Sequence, residues 1–511
     1  MILSSTRVHS EIHLWRPYWL KKRYTEDMPE CDAVVIGSGP NGLAAAVTLA
    51  RAGLAVRVYE RNARYGGGLR TQELTLPGFQ HDVYSAVHPL VSGSAFFRDF
   101  GLSDRVRFAT PPISYGHPLD NGRAALAYRD LGETTDTLGV DGPRWNALFA
   151  PLVNHVNEMS QFTGNRLLRF PEHPLTALRF GMSVLSQGAR WWTTLFRTDE
   201  AAALFTGVMA HSGLPLPSVA GAAAGLTLAV HAHAAGWPIP LGGSNVIADS
   251  LVADLEAHGG EVITGYDVTN LDELPRARAI LFDTHVVRAA QLAEPRLKKS
   301  YLRRVAHTRS GISVFKMDFA LSGPVPWTHP ELLQTATVHV GGTRAEIAGF
   351  ERTTWGGAFS DSPYVLVAQP SLFDPSRAPF GYHTLWAYTH VPHGSHADRS
   401  DAVIRAIERF APGFRDRIVA STVRTPLDLE ADNPNYRGGD IAAGAPTLRQ
   451  LVARPVFGAE PWRMPGDGLY LASSSATPGP GVHGLAGYFA ALSALRHEFG
   501  IRTSPSLAPN G

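Results

Sequence analysis

The sequence predicts an α/β fold built around a Rossmann-like nucleotide-binding unit, and three observations point to it. The apolar run Ala33-Val34-Val35-Ile36 has the length and continuity of a strand buried on both faces. Directly after it, Gly37-Ser38-Gly39-Pro40-Asn41-Gly42 leads into an alanine-rich stretch from Leu43, the pattern of a glycine turn opening a helix. A second apolar run, Ala55 to Tyr59, then ends in an acid, Glu60, eighteen residues past Gly42.

Each residue type in this unit has a chemical reason. Gly37 permits the tight turn, Gly39 lets backbone approach a pyrophosphate, and Gly42 lets helix and strand pack closely. Pro40 and Asn41 stand between them at the helix N-terminus, whose free N–H groups and positive dipole end favour phosphate. Glu60 is placed to accept hydrogen bonds from ribose hydroxyls. The run from Arg61 to Thr71 follows, with Gly66-Gly67-Gly68 inside it. This second cluster lets backbone pass close to a bulky bound group. Arg70 offers charge against phosphate, and Arg61 joins it among the candidate cofactor contacts. The second cluster favours FAD over NAD.

At 511 residues the chain is long enough for two or three domains, and its 18% charged residues suit a globular protein. A net charge of +1 gives no electrostatic case for nucleic acid. Cys31 is the only cysteine, which excludes an intrachain disulfide and a CxxC redox pair. Residues 1–28 read as an N-terminal extension. They place Trp15, Tyr18 and Trp19 beside Arg16, Lys21, Lys22 and Arg23, without the apolar core of a secretory signal. A cytoplasmic location is expected, with peripheral membrane contact through such an aromatic and basic segment as the alternative. Residues 214–235 are apolar, but Pro215, Pro217, His231 and His233 interrupt them, so a buried helix is expected rather than a membrane span.

Farther along, Trp145, Leu148, Phe149, Leu152, Val153 and Val156 recur at helical spacing within a helical region, 144–210. A second unit starts at Pro240-Leu241-Gly242-Gly243, with a helix closing at Gly259-Gly260 and strands at 261–264 and 279–282. Apolar runs at 312–315, 364–367 and 383–388 favour strands, and residues 401–410 a short amphipathic helix. Residues 73–130 show no clear periodicity. The end of the chain reads as a strand, the turn Pro478-Gly479-Pro480-Gly481-Val482-His483-Gly484, and a helix. That junction offers a second set of helix-terminal N–H groups.

These motifs, in this order, resemble the phytoene desaturase-related FAD-dependent oxidoreductases, over about residues 30–500. Val314-Phe315-Lys316-Met317-Asp318, Ala378-Pro379-Phe380-Gly381 and Gly438-Gly439-Asp440-Ile441 add to the likeness. The resemblance implies a discontinuous Rossmann-like FAD domain (30–110, 238–290 and 430–500) with an inserted mixed sheet-plus-helix substrate domain (111–237 and 291–429). It implies that Gly37, Gly39 and Gly42 face the pyrophosphate, Glu60 the ribose, and Gly67, Gly68 and Arg70 the flavin side. It also implies backbone at Val268 near adenine and Gly481 and Val482 by the flavin, with Ser473 before them. Two departures weaken the carotenoid substrate more than the cofactor. Ser473-Ser474-Ser475 replaces a glycine-containing pair, and Leu69 follows Gly68 where arginine is common.

The activity implied is oxidation or desaturation of an apolar, carotenoid- or lipid-like substrate by hydride transfer to flavin N5, with oxygen or a quinone as acceptor. One alternative is a non-catalytic protein of the same fold that escorts lipidated or hydrophobic partners. Another is a flavin amine oxidase, disfavoured because no cysteine near the C-terminus could attach flavin. His88 and His483 are candidates for the substrate pocket, against a structural hydrogen bond for each. His231 and His233 read as a packed pair rather than metal ligands, and no metal site or catalytic residue is identified. Seven of the ten tryptophans fall between the FAD stretches and fit either an apolar pocket or an ordinary core.

Overall fold

The computed structural model describes residues 30–509, so the extension expected at 1–28 lies outside the described residues. In chain order the main strands are β1 (Ala33–Ile36), β2 (Val56–Tyr59), β3 (Ile113–Pro118), β4 (Ala124–Tyr128), β5 (Glu261–Ile263) and β6 (Ala279–Phe282). They continue with β7 (Ser313–Leu321), β8 (Thr335–Val340), β9 (Val365–Ala368), β10 (His383–Val391), β11 (Ile418–Arg424) and β12 (Leu469–Leu471). The principal helices are α1 (Pro40–Ala50), α2 (Gly142–Val153), α3 (Val156–Thr163), α4 (Pro174–Gly188) and α5 (Asp199–Met209). After them come α6 (Val219–Ala234), α7 (Asn245–Ala257), α8 (Arg344–Trp355) and α9 (Leu485–Glu498).

The first sheet has the order β12-β6-β1-β2-β5, and every pairing in it is parallel. Its strands come from three separated stretches of chain. β1 and β6 are buried at all their positions, which is why both read as unbroken apolar runs. α1 follows β1 with Pro40 in its first turn, where the missing N–H costs no intrahelical bond. Positions 41–50 are all buried, so the helix is small and apolar all round. It packs against α9 so closely that a Cβ on Gly487 would lie 1.7 Å from the Asn41 carbonyl oxygen.

The second sheet has the order β11-β7-β10-β9-β8-β3-β4, antiparallel except for the β8–β3 pair. Side chains alternate across it. Phe315, Met317, Phe319, Val338, Val365, Val367 and Leu385 enter one core with the helix Ser400–Glu408, while Val314, Leu366 and Tyr388 belong to another core with α2, α5 and α6. The expected strands at 312–315, 364–367 and 383–388 are present as parts of β7, β9 and β10. α8 lies between the first two of these runs, and the capping box of Thr343 and Glu346 starts it there. β3 and β4 occupy the stretch without periodicity. Gly116, His117 and Pro118 hide the alternation of β3, which is fixed by pairing with β8 and β4. α6 is the buried helix expected in 214–235, and among the described residues no helix is long and apolar enough to cross a membrane.

A buried ionic cluster joins the two layers. Arg377 is fully buried and donates to Asp82 (2.9 Å), to Asp374 (2.8 Å) and to the Pro240 carbonyl (3.2 Å). Asp374 accepts in turn from the Gly242 N–H, and Asp82 from the Ser244 N–H and the Thr71 hydroxyl. A guanidinium with a partner at each of its three nitrogens and two carboxylates beside it can tolerate this burial. It fixes the 240–244 turn, which enters α7, against the ribbon formed by residues 71–73 and 80–82.

Candidate functional site

The glycine turn after β1 is held by close backbone packing. A Cβ on Gly42 would lie 2.3 Å from the Gly37 carbonyl oxygen, so α1 and β1 meet there as the spacing predicts. Gly37 has φ +100°, open to glycine without strain. A Cβ on Gly67 would lie 2.7 Å from the Gly39 Cα, so the two glycine clusters touch each other. Gly37, Gly39, Pro40, Asn41, Gly67 and Gly68 all line one cavity of about 650 Å³. Gly42 packs behind its wall.

Beneath this turn lies a residue the sequence reading missed. Asp283, the residue after β6, accepts from the Gly42 N–H at 2.9 Å. Burial, with Glu60 nearby and against the N–H groups of Gly42 and Gly39, pushes its carboxyl well above the usual range. Only the parallel pairing of β6 with β1 brings it here, 241 residues from Gly42.

Glu60 lies at the end of β2 and accepts from the Ser38 N–H (3.1 Å), the Ser38 hydroxyl (2.6 Å) and the Asn62 N–H (2.8 Å). Its carboxylate is therefore oriented by the turn it faces. Arg61 lines the same cavity and donates to the Ala431 carbonyl. Val268 lines it too, with its carbonyl accepting from Arg288 at 2.9 Å. Arg70 is placed differently from the expectation that it would offer charge to phosphate. It is buried and pairs with Asp432, which also accepts from the Tyr84 hydroxyl. Its Nε donates to the Gly67 carbonyl at 3.2 Å, so Arg70 braces the second glycine cluster from behind.

The C-terminal turn reaches the same cavity through Ser473, Gly481, Val482 and His483. Gly481 has φ +135°, and a Cβ there would lie 2.6 Å from Leu90. His483 accepts from the Leu485 N–H (3.0 Å) at Nδ1 and contacts the Gly479 carbonyl (3.1 Å) through Nε2, clasping the turn before α9. His88 contacts the Ser244 hydroxyl at 2.8 Å. Burial lowers both imidazoles to about 4, so both are neutral at neutral pH. Each lines the cavity while holding a structural hydrogen bond.

His231 and His233 do not form a pair. They lie two apart on α6 and take different partners: His231 the Ser160 hydroxyl (3.4 Å), His233 the Trp145 indole (3.1 Å) and the Tyr128 carbonyl (2.8 Å). Two residues on a helix differ by about 200° in direction, so a shared partner is not expected. Among the described residues no group of three metal-ligating side chains is found. Of the tryptophans, Trp237 and Trp386 line the cavity, Trp145 is in the core, and Trp191 is 62% exposed.

Beyond the glycine turns the cavity runs over one face of the second sheet. There it is lined by Val314 and Lys316 of β7, Tyr388 and Trp386 of β10, and Leu366 and Ala368 of β9. Lys316 is a second residue the sequence reading did not single out. It is 2% exposed and paired with Asp318, two residues along the same strand face. Burial lowers it to about 8 against the pull of Asp318. The signal was available, because a lysine inside an apolar strand is rare and this chain has few lysines.

Comparison with known proteins agrees with this architecture. Residues 35–100 match the NAD(P)-binding Rossmann-like domain family, a stretch that runs from the end of β1 through the glycine turn, α1 and β2. The chain is 26% identical to the rat pyridine nucleotide-disulfide oxidoreductase domain-containing protein 2, over 91% of this chain and 93% of that one. It is 25% identical to the phytoene dehydrogenase of Streptomyces griseus, over 78% of this chain and 80% of that one. Among solved structures, cyclohexylamine oxidase from Brevibacterium oxydans superposes with a TM-score of 0.55 at 17% identity, covering 91% of this chain and 99% of its own. At that identity it shows a shared fold. With the paired glycine clusters and the distant C-terminal turn on one cavity, the chain is an FAD-dependent oxidoreductase that is similar to the phytoene desaturase-related proteins.

Proposed function

We propose that the cavity holds FAD at its glycine-lined end and oxidises or desaturates an apolar, lipid-like substrate over the sheet. The observation that carries this reading is the continuity of one cavity from Glu60 and Val268, past Gly39 and Gly67, to Val314, Leu366 and Trp386. The donor set suits the cofactor. Glycines keep the wall at backbone distance, and Asn41 Oδ1 and Thr284 Oγ1 are buried beside the turn without a partner. Gly37, Gly39, Pro40, Asn41 and the α1 N-terminus would hold the pyrophosphate, Glu60 and Arg61 the ribose side, and backbone at Val268 the adenine. Gly67, Gly68, Ser473, Gly481 and Val482 would line the flavin, with Arg70 and Gly42 supporting from behind. In this reading residues 30–110, 238–290 and 430–500 form the FAD domain, and 111–237 and 291–429 the substrate domain.

When bound, FAD would supply a hydride acceptor at N5, with oxygen or a quinone as the final electron acceptor. Forming a carbon–carbon double bond releases a proton as well as a hydride. Lys316 lines the cavity and burial lowers it to about 8, whereas His88 and His483, lowered to about 4, are weaker bases, so the neutral Lys316 amine takes the proton. Asp318 then stabilises the ammonium formed. Val314, Leu366 and Trp386 exclude water from an apolar chain.

An absorption spectrum of the purified protein tests the cofactor placement, since absence of flavin bands after reconstitution with FAD would sink it. Gly481→Val should lose flavin independently of Gly39→Val, because the two glycines come from opposite ends of the chain. Anaerobic bleaching by apolar lipids, compared with alkylamines, tests the substrate class. Bleaching by amines alone would refute the apolar reading.

A further inference from the structure

Helix α4 is apolar on two opposite faces. Thr176, Phe180, Val184 and Gln187 are buried, and Phe180 reaches the cavity wall. On the other side Leu175, Leu178, Met182 and Leu185 recur at spacings of three and four, exposed to 71%, 59%, 61% and 56%. A helix that buries one stripe ordinarily turns polar residues outward. The outer stripe continues at both ends of the helix, with Leu168 and Phe170 before it and Trp191 after it, all exposed. Leu168 shares a small second cavity with exposed Phe457, so the patch extends onto the segment around residue 457. A contiguous patch of this kind differs from the single exposed apolar residues found on any protein.

The rim of the patch is cationic. Between residues 163 and 198 the chain carries Arg166, Arg169, Arg179, Arg190 and Arg197 against one acid, Glu172, which pairs with Arg169. Arg179 and Arg190 are exposed and have no ion-pair partner among the described residues. Aromatic and aliphatic side chains rimmed by arginine suit the boundary of an anionic bilayer, where the apolar face enters the acyl region and the guanidinium groups meet phosphate. A second copy of this chain suits it less, because a two-fold contact through the patch would set the same cationic rim against itself.

We propose that the outer face of α4, with Phe170 and Trp191 at its ends, docks on the surface of an anionic lipid bilayer. The bilayer would then lie one helix away from the cavity wall at Phe180, which suits the apolar substrate of the proposed function. Docking itself does not depend on that reading and is measured without substrate.

The test uses the full chain and vesicles of phosphatidylcholine with or without phosphatidylglycerol, in a co-sedimentation assay. Wild type should sediment with the anionic vesicles and release as salt rises. Leu178→Ser combined with Met182→Ser should weaken binding by roughly tenfold or more, the scale of withdrawing two large apolar side chains. Arg179→Gln with Arg190→Gln should flatten the salt dependence. Flavin content and light-scattering mass should match wild type, as these positions are exposed. Wild type that ignores anionic vesicles, or a serine variant that binds them as well as wild type, would overturn the proposal. So would a wild-type dimer that the serine variant splits while vesicle binding is absent, which would assign the patch to a second copy. Failure of the flavin reading appears separately, in the absorption spectrum.

Discussion

At the glycine-lined end proposed for the nucleotide the cavity is walled by backbone, and at its sheet end by side chains. Gly37, Gly39, Gly42 and Gly67 press main chain against main chain, with no room for a Cβ at Gly42 or Gly67. Over the sheet, Val314, Lys316, Leu366, Trp386 and Tyr388 line the cavity from three neighbouring strands, and in the proposed reading their identity sets the chemistry. In the proposed reading the first end recognises a cofactor shared by many proteins, and its close backbone packing leaves little tolerance to change. The second can be altered residue by residue on a fixed floor, which is how one fold serves different substrates.

The strongest test of that contrast removes what joins the two ends. Arg377→Met leaves Asp82 and Asp374 buried without their partner and should cost about 4 kcal/mol in chemical unfolding, with flavin lost in the same transition. Next, Gly42→Ala should cost about 3 kcal/mol from overpacking against Gly37 and release flavin. If Gly42→Ala retains flavin and stability, the nucleotide end is less tightly built than its geometry says.

At the sheet end, Lys316→Met should keep flavin but slow substrate oxidation by about a hundredfold, the low end of a general base's contribution. Wild-type rate should rise with pH through about 8, where Lys316 becomes neutral, and the variant should lack that rise. Stability should follow the same group. A native lysine with a lowered pKa binds fewer protons than the unfolded chain between about 8 and its ordinary value of about 10.4, so stability rises with pH across that window. A variant with an unchanged pH profile would remove Lys316 from the reaction.

The smallest effect returns to the nucleotide end. The raised pKa of Asp283 means that its ionisation, as pH rises, places charge beside Glu60 and the α1 N-terminus. Stability therefore falls as pH climbs from the usual carboxylate value toward the raised one. Asp283→Asn should remove that dependence and tighten flavin retention at alkaline pH by about tenfold, measured by equilibrium dialysis. Equal retention in both proteins at all pH values would show that the carboxyl does not act on the cofactor.

The nucleotide end was legible because its determinants are local. Strand, glycine turn, helix and Glu60 fall within about thirty residues, and steric demands on glycine leave a mark in the sequence itself. Asp283 left no such mark, since its meaning depends on the register of β6 beside β1. Arg70 was misread for a related reason. A conspicuous arginine after glycines suggests phosphate, but its partner Asp432 is 362 residues away. Lys316 showed in the apolar run of β7, yet only the sheet decides which face of β7 meets the cavity.

By itself, then, the sequence determined the fold class, the glycine turn that packs α1 on β1 and the exclusion of intrachain disulfide chemistry, because backbone sterics and the count of cysteines are local properties. Tertiary structure alone decided which side chains share the cavity, which charges are already paired, and that one helix turns an apolar face outward. The first two arise from contacts between residues hundreds of positions apart, and the third from which stripe of α4 the helices α2, α3 and α6 cover, so the spacing within one segment does not settle them.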